Sequence, residues 1–508
     1  MIRVRVGMFV LAACLGLTAP VAAEVKLPAV FSDHMVLQRD KAIPVWGWDA
    51  PGTEVTVSLG DAKASAKADD KGGWKVSLPA QKANAKGQKL TVKGTSEKAF
   101  SDVLVGEVWL CSGQSNMEWT VAQSDNPQQE IANGNHPLIR HIKIPHRPSA
   151  KAETDVQTKG WEIASPKTVA QFTAVGYYFA VNLRKDKDFA EVPVGLIGSN
   201  WGGTRIEPWT TPEGFQAVPA LKNIADKLAE FPSKDAKGNI NHQTPLALYN
   251  GMIAPLVPYA IRGALWYQGE SNNGEGMLYA DKMKALIHGW RKLWSDETMP
   301  FYFVQIAPFT YRNTGLPFLW EAQLAASKIP GVGMAATMDI SNIKDIHPKN
   351  KQEVGRRLAL IALARTYGRE GLVISGPFYK SMKAEGGKVR ISFEGAAGGL
   401  KATDGKDLTH FTVAGADKKF VPAKAVIEGN EVVVSAEGVA QIAAVRFAWA
   451  EAKQALRVEA RVLTCHDGQL QRGHDRQLTG GEAIGPFASM CKKTIRDAHG
   501  CIMPNGPD

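Results

Sequence analysis

Residues 103–119 read VLVGEVWLCSGQSNMEW. The first half is apolar and rich in β-branched residues. A strand with no wet face belongs inside a sheet covered on both sides, and such sheets are mainly parallel. The second half is a Gly-containing turn bearing one thiol, Cys111, and two hydroxyls, Ser112 and Ser115. Ser115 and Glu118 fit the Ser-x-x-Glu capping box, which satisfies orphan N–H groups where a helix begins. The same place also suits a nucleophile, since N–H groups at a helix start favour an oxyanion. Cys111 is a rival nucleophile, but a reactive thiolate needs an accessible electropositive setting. At the end of an apolar run it reads as a packing residue. On this stretch alone, Ser115 as cap and Ser115 as nucleophile both stand.

Working outward, similar runs recur at 138–144 (LIRHIKI), 192–198 (VPVGLIG), 261–268 (IRGALWYQ), 301–307 (FYFVQIA) and 332–339 (VGMAATMD). Helical periodicity fills much of the space between them, as in 171–185, 277–294 and 316–328. Buried strands alternating with helices predict an α/β domain with a mainly parallel sheet over 101–375. Before it, EVTVSL and WKVSL alternate as half-buried strands among Pro-Gly and Gly-Gly turns, predicting a β-rich domain over 24–100. After it, KVRISF, EVVVSA and AAVRFAWA predict a second β-rich segment over 376–450. Residues 451–508 are rich in Gly, His, Arg and Cys without sustained periodicity and receive no fold.

The 508-residue chain is 44% hydrophobic and 22% charged, an ordinary globular balance. Its net charge is +10, but the Lys and Arg residues are scattered without a basic, aromatic-interleaved block, which argues against a nucleic-acid partner. Arg3 and Arg5 precede an apolar run over 6–17, and small residues follow at 21–23. That is the plan of a cleaved signal peptide over 1–23, with export to a periplasm or beyond. No transmembrane anchor is expected after cleavage. Cys14 in LAAC gives a lipoprotein-type alternative. The five cysteines offer no disulfide scaffold and no zinc spacing.

Ligands of open α/β sheets bind beyond the carboxyl ends of the strands. There the sequence places CSGQSNMEW, SNWGGTRIEPW, GESNN and ISNIKDIHPKNK. Ser, Gly pairs, Gln, Asp and His together form the inventory of a serine hydrolase. Turn chemistry explains the Gly and Asn residues, but not His347 beside Asp345. Pro348 suits a first helical position, so His347 is expected at a helix entrance. Gly202 and Gly203 permit close backbone approach, and Gln268 could donate from its side chain. Arg205 is a candidate clamp for a substrate carboxylate. Glu270, with Glu118 or Glu207, raises a glycosidase alternative through paired carboxylates. A non-catalytic sugar-binding protein is the third reading.

Together the blocks GEVWLCSGQSNMEW, GLIGSNWGGTRIEPW, GALWYQGESN and DIHPKNKQEVGRRLA resemble the signatures of the sialate O-acetylesterase family, in the family's order. The early PAVFSDHMVLQRD resembles its N-terminal β region, and the likeness covers 25–450. The resemblance implies a flavodoxin-like, SGNH-hydrolase-type fold and hydrolysis of acetyl esters on sugars through an acyl-serine. It implies an acetylated sialic acid substrate, with acetylxylan-type polysaccharides as the alternative, and no cofactor or metal. It further implies Ser115 as nucleophile, His347 as base and Asp345 as orienting acid, with Asp339 as the other acid preceding His347. The oxyanion hole would draw on the Ser115 N–H, a Gly202 or Gly203 N–H, and Gln268, where an Asn is usual. Gln114, Glu270 and Arg205 complete the expected binding set. The tail departs from the family's closing pattern, as a frameshift or a local replacement would make it do.

Overall fold

The computed structural model describes residues 24–311, 315–396, 399–402, 405, 407–449 and 463–465. Its central element is the long strand β1, Glu97–Gly113. Five further strands follow β1 in the parallel sheet or at its edge: β2 (His136–Lys143), β3 (Trp161–Ala164), β4 (Val194–Asn200), β5 (Gly263–Tyr267) and β6 (Phe301–Val304). With β7 (Val332–Ala335), the order is β7-β6-β5-β1-β4-β2-β3. All neighbours are parallel except β3, which pairs antiparallel with β2 at the edge.

The apolar run of β1 explains its central place. Val108 and Leu110 enter the core on one face of the sheet, and Trp109 and Cys111 enter the core on the other. All four are fully buried, as the two-sided reading requires. After α1 (Ser115–Glu118), helices α2 (Ala174–Leu183) and α5 (Lys351–Arg365) cover the Trp109 face. Helices α3 (Leu278–Leu293) and α4 (Leu316–Ala326) cover the other. Gly355 lets α2 and α5 meet closely: a Cβ there would lie 2.6 Å from the Phe179 nitrogen.

The first half of β1 belongs to the N-terminal β region. It pairs antiparallel with Asn84–Lys93 and parallel with Val36–Gln38 before entering the parallel sheet. One strand therefore runs through residues 100 and 101, where the sequence reading divides two domains. The C-terminal region is a six-stranded antiparallel sheet, from Phe378–Glu385 to Ala444–Phe447, with its own apolar core. The whole is a mixed α/β fold with a β-rich region at each end. The expected signal peptide with Cys14 lies outside the described residues. So does the tail, apart from Leu463–Cys465, which pairs with Leu400–Ala402. Among the described residues no helix is long and apolar enough to cross a membrane.

Candidate active site

The carboxyl ends of β1, β4, β5 and β7 carry the groups singled out in the sequence. Ser115 is the first residue of α1, directly beyond β1. The expected capping box is absent. Gln114 occupies the cap without a side-chain hydrogen bond, and the Glu118 carboxylate turns away. Its Oε2 accepts from the Gly202 N–H at 2.7 Å, and its Oε1 lies 2.7 Å from His146 Nε2 and 3.2 Å from Lys143 Nζ. A four-residue helix has little macrodipole, so any oxyanion stabilisation here comes from individual N–H groups.

His347 Nε2 lies 2.8 Å from Ser115 Oγ across a sequence separation of 232 residues. Both residues are half-buried. The imidazole stacks on Trp119, with ring centroids 4.6 Å apart and an interplanar angle of 18°. Burial lowers the His347 pKa from its ordinary value, the Lys351 charge lowers it further, and Asp345 partly opposes both. His347 does not stand at the helix entrance expected from Pro348. The helix α5 begins at Lys351, capped by Asn350 Oδ1, which accepts from the Glu353 N–H at 3.0 Å. His347 sits instead in the loop before it.

The third member differs from a standard triad. Asp345 Oδ1 accepts from the backbone N–H of His347 at 2.9 Å, so its carboxylate shapes the turn instead of gripping the ring. Asp339, the other acid preceding His347, is bound to the Arg357 guanidinium.

Three expected binding groups are committed elsewhere. Gln268 is fully buried: its Nε2 donates to Thr204 O at 3.2 Å and Asn272 Oδ1 at 2.7 Å, and its Oε1 accepts from Tyr279 Oη at 2.8 Å. It braces two loops and points no donor at Ser115. The Gly202 N–H is taken by Glu118. Arg205 is paired with Glu207 and Glu275, which Lys282 also joins, so its charge is balanced within the fold. Two groups remain in place. Gly203 has φ +73°, and a Cβ there would meet nothing within 4 Å. Gln114 is anchored through Oε1 by the N–H groups of Gly269 and Ser271, at 3.4 and 3.3 Å, which leaves its amide nitrogen as the donor end.

The carboxylates of the glycosidase reading are held within the fold, although Glu270 Oε2 is buried without a hydrogen-bond partner. Glu118 is held as described, and Glu207 lies in the buried cluster with Arg205 and Lys282. Glu270 accepts from Asn116 Nδ2 at 2.6 Å, and burial raises its pKa. Cys111 is fully buried, which pushes its thiol well above the usual range and removes it as a nucleophile. Among the described residues no group of three His, Cys, Asp or Glu side chains is placed to hold a metal ion.

Sequence reasoning missed Asn116, Lys351 and Trp119. Lys351 carried a usable signal: it falls three residues before Val354, on the stripe that continues to Leu358 and Ile361, so a buried lysine was legible there.

A family model described as carbohydrate esterase, sialic acid-specific acetylesterase, matches residues 105–364. The chain is 31% identical to the sialate O-acetylesterase of Homo sapiens over 394 residues, 69% of this chain and 73% of that one. It is 28% identical to the Mus musculus enzyme of the same name over 432 residues, 73% of this chain and 79% of that one. The solved structure of a carbohydrate acetylesterase from Xanthomonas citri aligns with a TM-score of 0.76 and 38% identity, covering 84% of this chain and 95% of that one.

Proposed function

The chain belongs to the carbohydrate esterase family of sialic acid-specific acetylesterases, and from that premise we propose that it removes acetyl groups from sugars through an acyl-serine on Ser115. The carrying observation is the 2.8 Å contact between Ser115 Oγ and His347 Nε2 at the carboxyl edge of the sheet. Ser115 Oγ attacks the acetyl carbonyl while His347 takes its proton. The tetrahedral oxyanion is met by the Ser115 and Gly203 N–H groups and the Gln114 amide. His347 returns the proton to the sugar oxygen as the C–O bond breaks. It then takes a proton from water as the water oxygen attacks the acetyl-serine carbonyl, and returns that proton to Ser115 Oγ as the acyl C–O bond breaks and acetate leaves.

Leaving aside β2, which is parallel to β4, and the antiparallel edge strand β3, the remaining strands counted from β1 run 2-1-3-4-5. That order supports a flavodoxin-like, SGNH-hydrolase-type core. The names of the mammalian relatives support O-acetylated sialic acid as the substrate. The neutralised Arg205 favours a second reading, a neutral acetylated polysaccharide of the xylan type. The Arg3, Arg5 and apolar 6–17 pattern supports export. The test is acetate release by Ser115→Ala from an aryl acetate, acetylated sialic acid and acetylated xylan. Folded protein with no turnover on any of them is expected; wild-type turnover defeats the assignment.

A further inference from the structure

Ser115 and His347 touch through their side chains, and their chain neighbours make a second contact beside them. Asn116, next to Ser115, is fully buried, and its Nδ2 donates to the carbonyl of Ile346, next to His347, at 3.0 Å. The other Nδ2 hydrogen goes to Glu270 Oε1 at 2.6 Å. Asn116 Oδ1 accepts from Lys351 Nζ at 2.5 Å. One carboxamide thus ties the nucleophile turn to the base loop, to the loop after β5 and to the first turn of α5.

We propose that Asn116 is the positioning residue of this esterase: its amide holds the His347 loop against Ser115, and Glu270 and Lys351 fix which way that amide faces. The proposal rests on Ser115 and His347 being the acting pair. A carboxamide has two nearly isosteric orientations, and the partners select one. A backbone carbonyl such as Ile346 O only accepts, and here Glu270 Oε1 accepts and Lys351 Nζ donates. Glu270 therefore draws the NH2 end and Lys351 the oxygen end, which aims the second N–H at Ile346 O. Lys351 is wholly buried and has no part in attack or proton transfer, so the amide gives a reason for a lysine there. Burial pushes its pKa down to about 7, and the charges of Glu270, Asp345 and Asp125 work against that fall. Small errors in the nucleophile–base geometry are costly in rate, on the order of a hundredfold for a 1 Å displacement.

The side-chain types make the idea testable. Asn116→Asp is nearly isosteric but sets an oxygen against Glu270 and Ile346 O. Asn116→Ala removes all three bonds. Glu270→Gln keeps shape while allowing the amide to turn over, and Lys351→Met keeps the stem without the donor. Each folded variant, checked by thermal melting, is assayed for kcat and KM on an aryl acetate. The rate at which a serine-directed fluorophosphonate labels Ser115 is measured alongside, since that reaction needs the Ser–His pair but no sugar. The expected result is a fall in kcat and labelling rate together: tenfold or more for the Asn116 variants and about threefold or more for Glu270→Gln and Lys351→Met, with KM within about threefold. A kcat within twofold of wild type in any folded member of the set overturns the proposal. So does a fall in kcat with labelling unchanged. An active Ser115→Ala would instead defeat the underlying assignment, so the two failures are distinguishable.

Discussion

The Gly202 N–H donates to Glu118 Oε2 at 2.7 Å, so the last residue of the nucleophile helix holds the loop beyond β4 by its backbone. A Cβ on Gly202 would come within 3.3 Å of the Ser115 Cβ, which shows how closely that loop approaches. In the proposed mechanism this clamp positions Gly203 for the oxyanion hole. Burial alone would raise the Glu118 pKa. The His146 hydrogen bond, the Lys143 charge and the Gly202 N–H more than reverse this and hold it at about 2. The clamp is therefore charged throughout the working pH range. Glu118→Ala should release the loop and lower kcat on an aryl acetate by about tenfold to a hundredfold. Glu118→Gln keeps an acceptor and should fall between. Equal kcat in Glu118→Ala and wild type would remove the clamp from catalysis.

In the proposed mechanism His347 must be neutral to accept the serine proton. Burial and Lys351 lower its pKa, so the neutral form persists to lower pH than for an ordinary histidine. The acid limb of kcat/KM should accordingly lie below pH ~6.5, the unperturbed value. In that range Lys351, with its pKa of about 7, is mostly protonated. Lys351→Met removes that positive charge and should move the acid limb upward. A pH profile of kcat/KM for both proteins reads this directly, and a downward or absent shift would contradict the electrostatic account.

The architecture was legible because β1 and its neighbours are apolar on both faces, a pattern that admits little except a covered parallel sheet. The meeting of Ser115 and His347 was legible because each lies in a family block beyond a strand. Their partners were not. Gln268 and Arg205 have the right chemistry for substrate contact, but their neighbours Asn272, Glu207 and Glu275 close on them first. Which polar group pairs inward depends on loop packing that no local pattern records. The Ser115–Glu118 capping box failed for the same reason: Gly202, 84 residues on, takes the glutamate.

Arg205 tests that distinction. Its guanidinium joins Glu207, Glu275 and, through them, Lys282, which is 5% exposed. Burial would raise the Glu207 pKa, but the charges and hydrogen bonds of Lys282 and Arg205 hold it at about 2. Its folded pKa lies below its unfolded value of ~4.3, so this stabilisation is complete above that pH and is lost as pH falls towards 2. Lys282→Met leaves Glu207 and Glu275 to Arg205 and the Asn272 amide and should destabilise the fold by less than the ~3–5 kcal/mol that an uncompensated buried charge costs. Arg205→Met should cost less and leave the ratio of kcat/KM on acetylated sialic acid to that on acetylated xylan unchanged. A selective loss on the sialic acid would restore Arg205 as a substrate clamp. Denaturant melts and the paired assay separate these outcomes.

Asp345 sits where an orienting acid belongs, but its Oδ1 is bound to the His347 backbone N–H at 2.9 Å. The Asp345 N–H in turn donates to Asn342 O at 2.9 Å, closing the turn that presents the imidazole. The carboxylate thus has two separable effects, a hydrogen bond that shapes the turn and a charge that favours the imidazolium. Asp345→Asn retains an oxygen for the first and loses the second. Its kcat should fall by about tenfold or less, far from the ~10⁴ lost when an acid that grips the ring is made an amide. Its acid limb should move to lower pH, because the charge that raised the His347 pKa is gone. Asp345→Ala removes the hydrogen bond too and should lose more kcat than Asp345→Asn, because the turn no longer fixes the ring over Ser115. A loss near 10⁴ in Asp345→Asn would mean that the carboxylate moves onto the ring during turnover, making it a full third member of the triad.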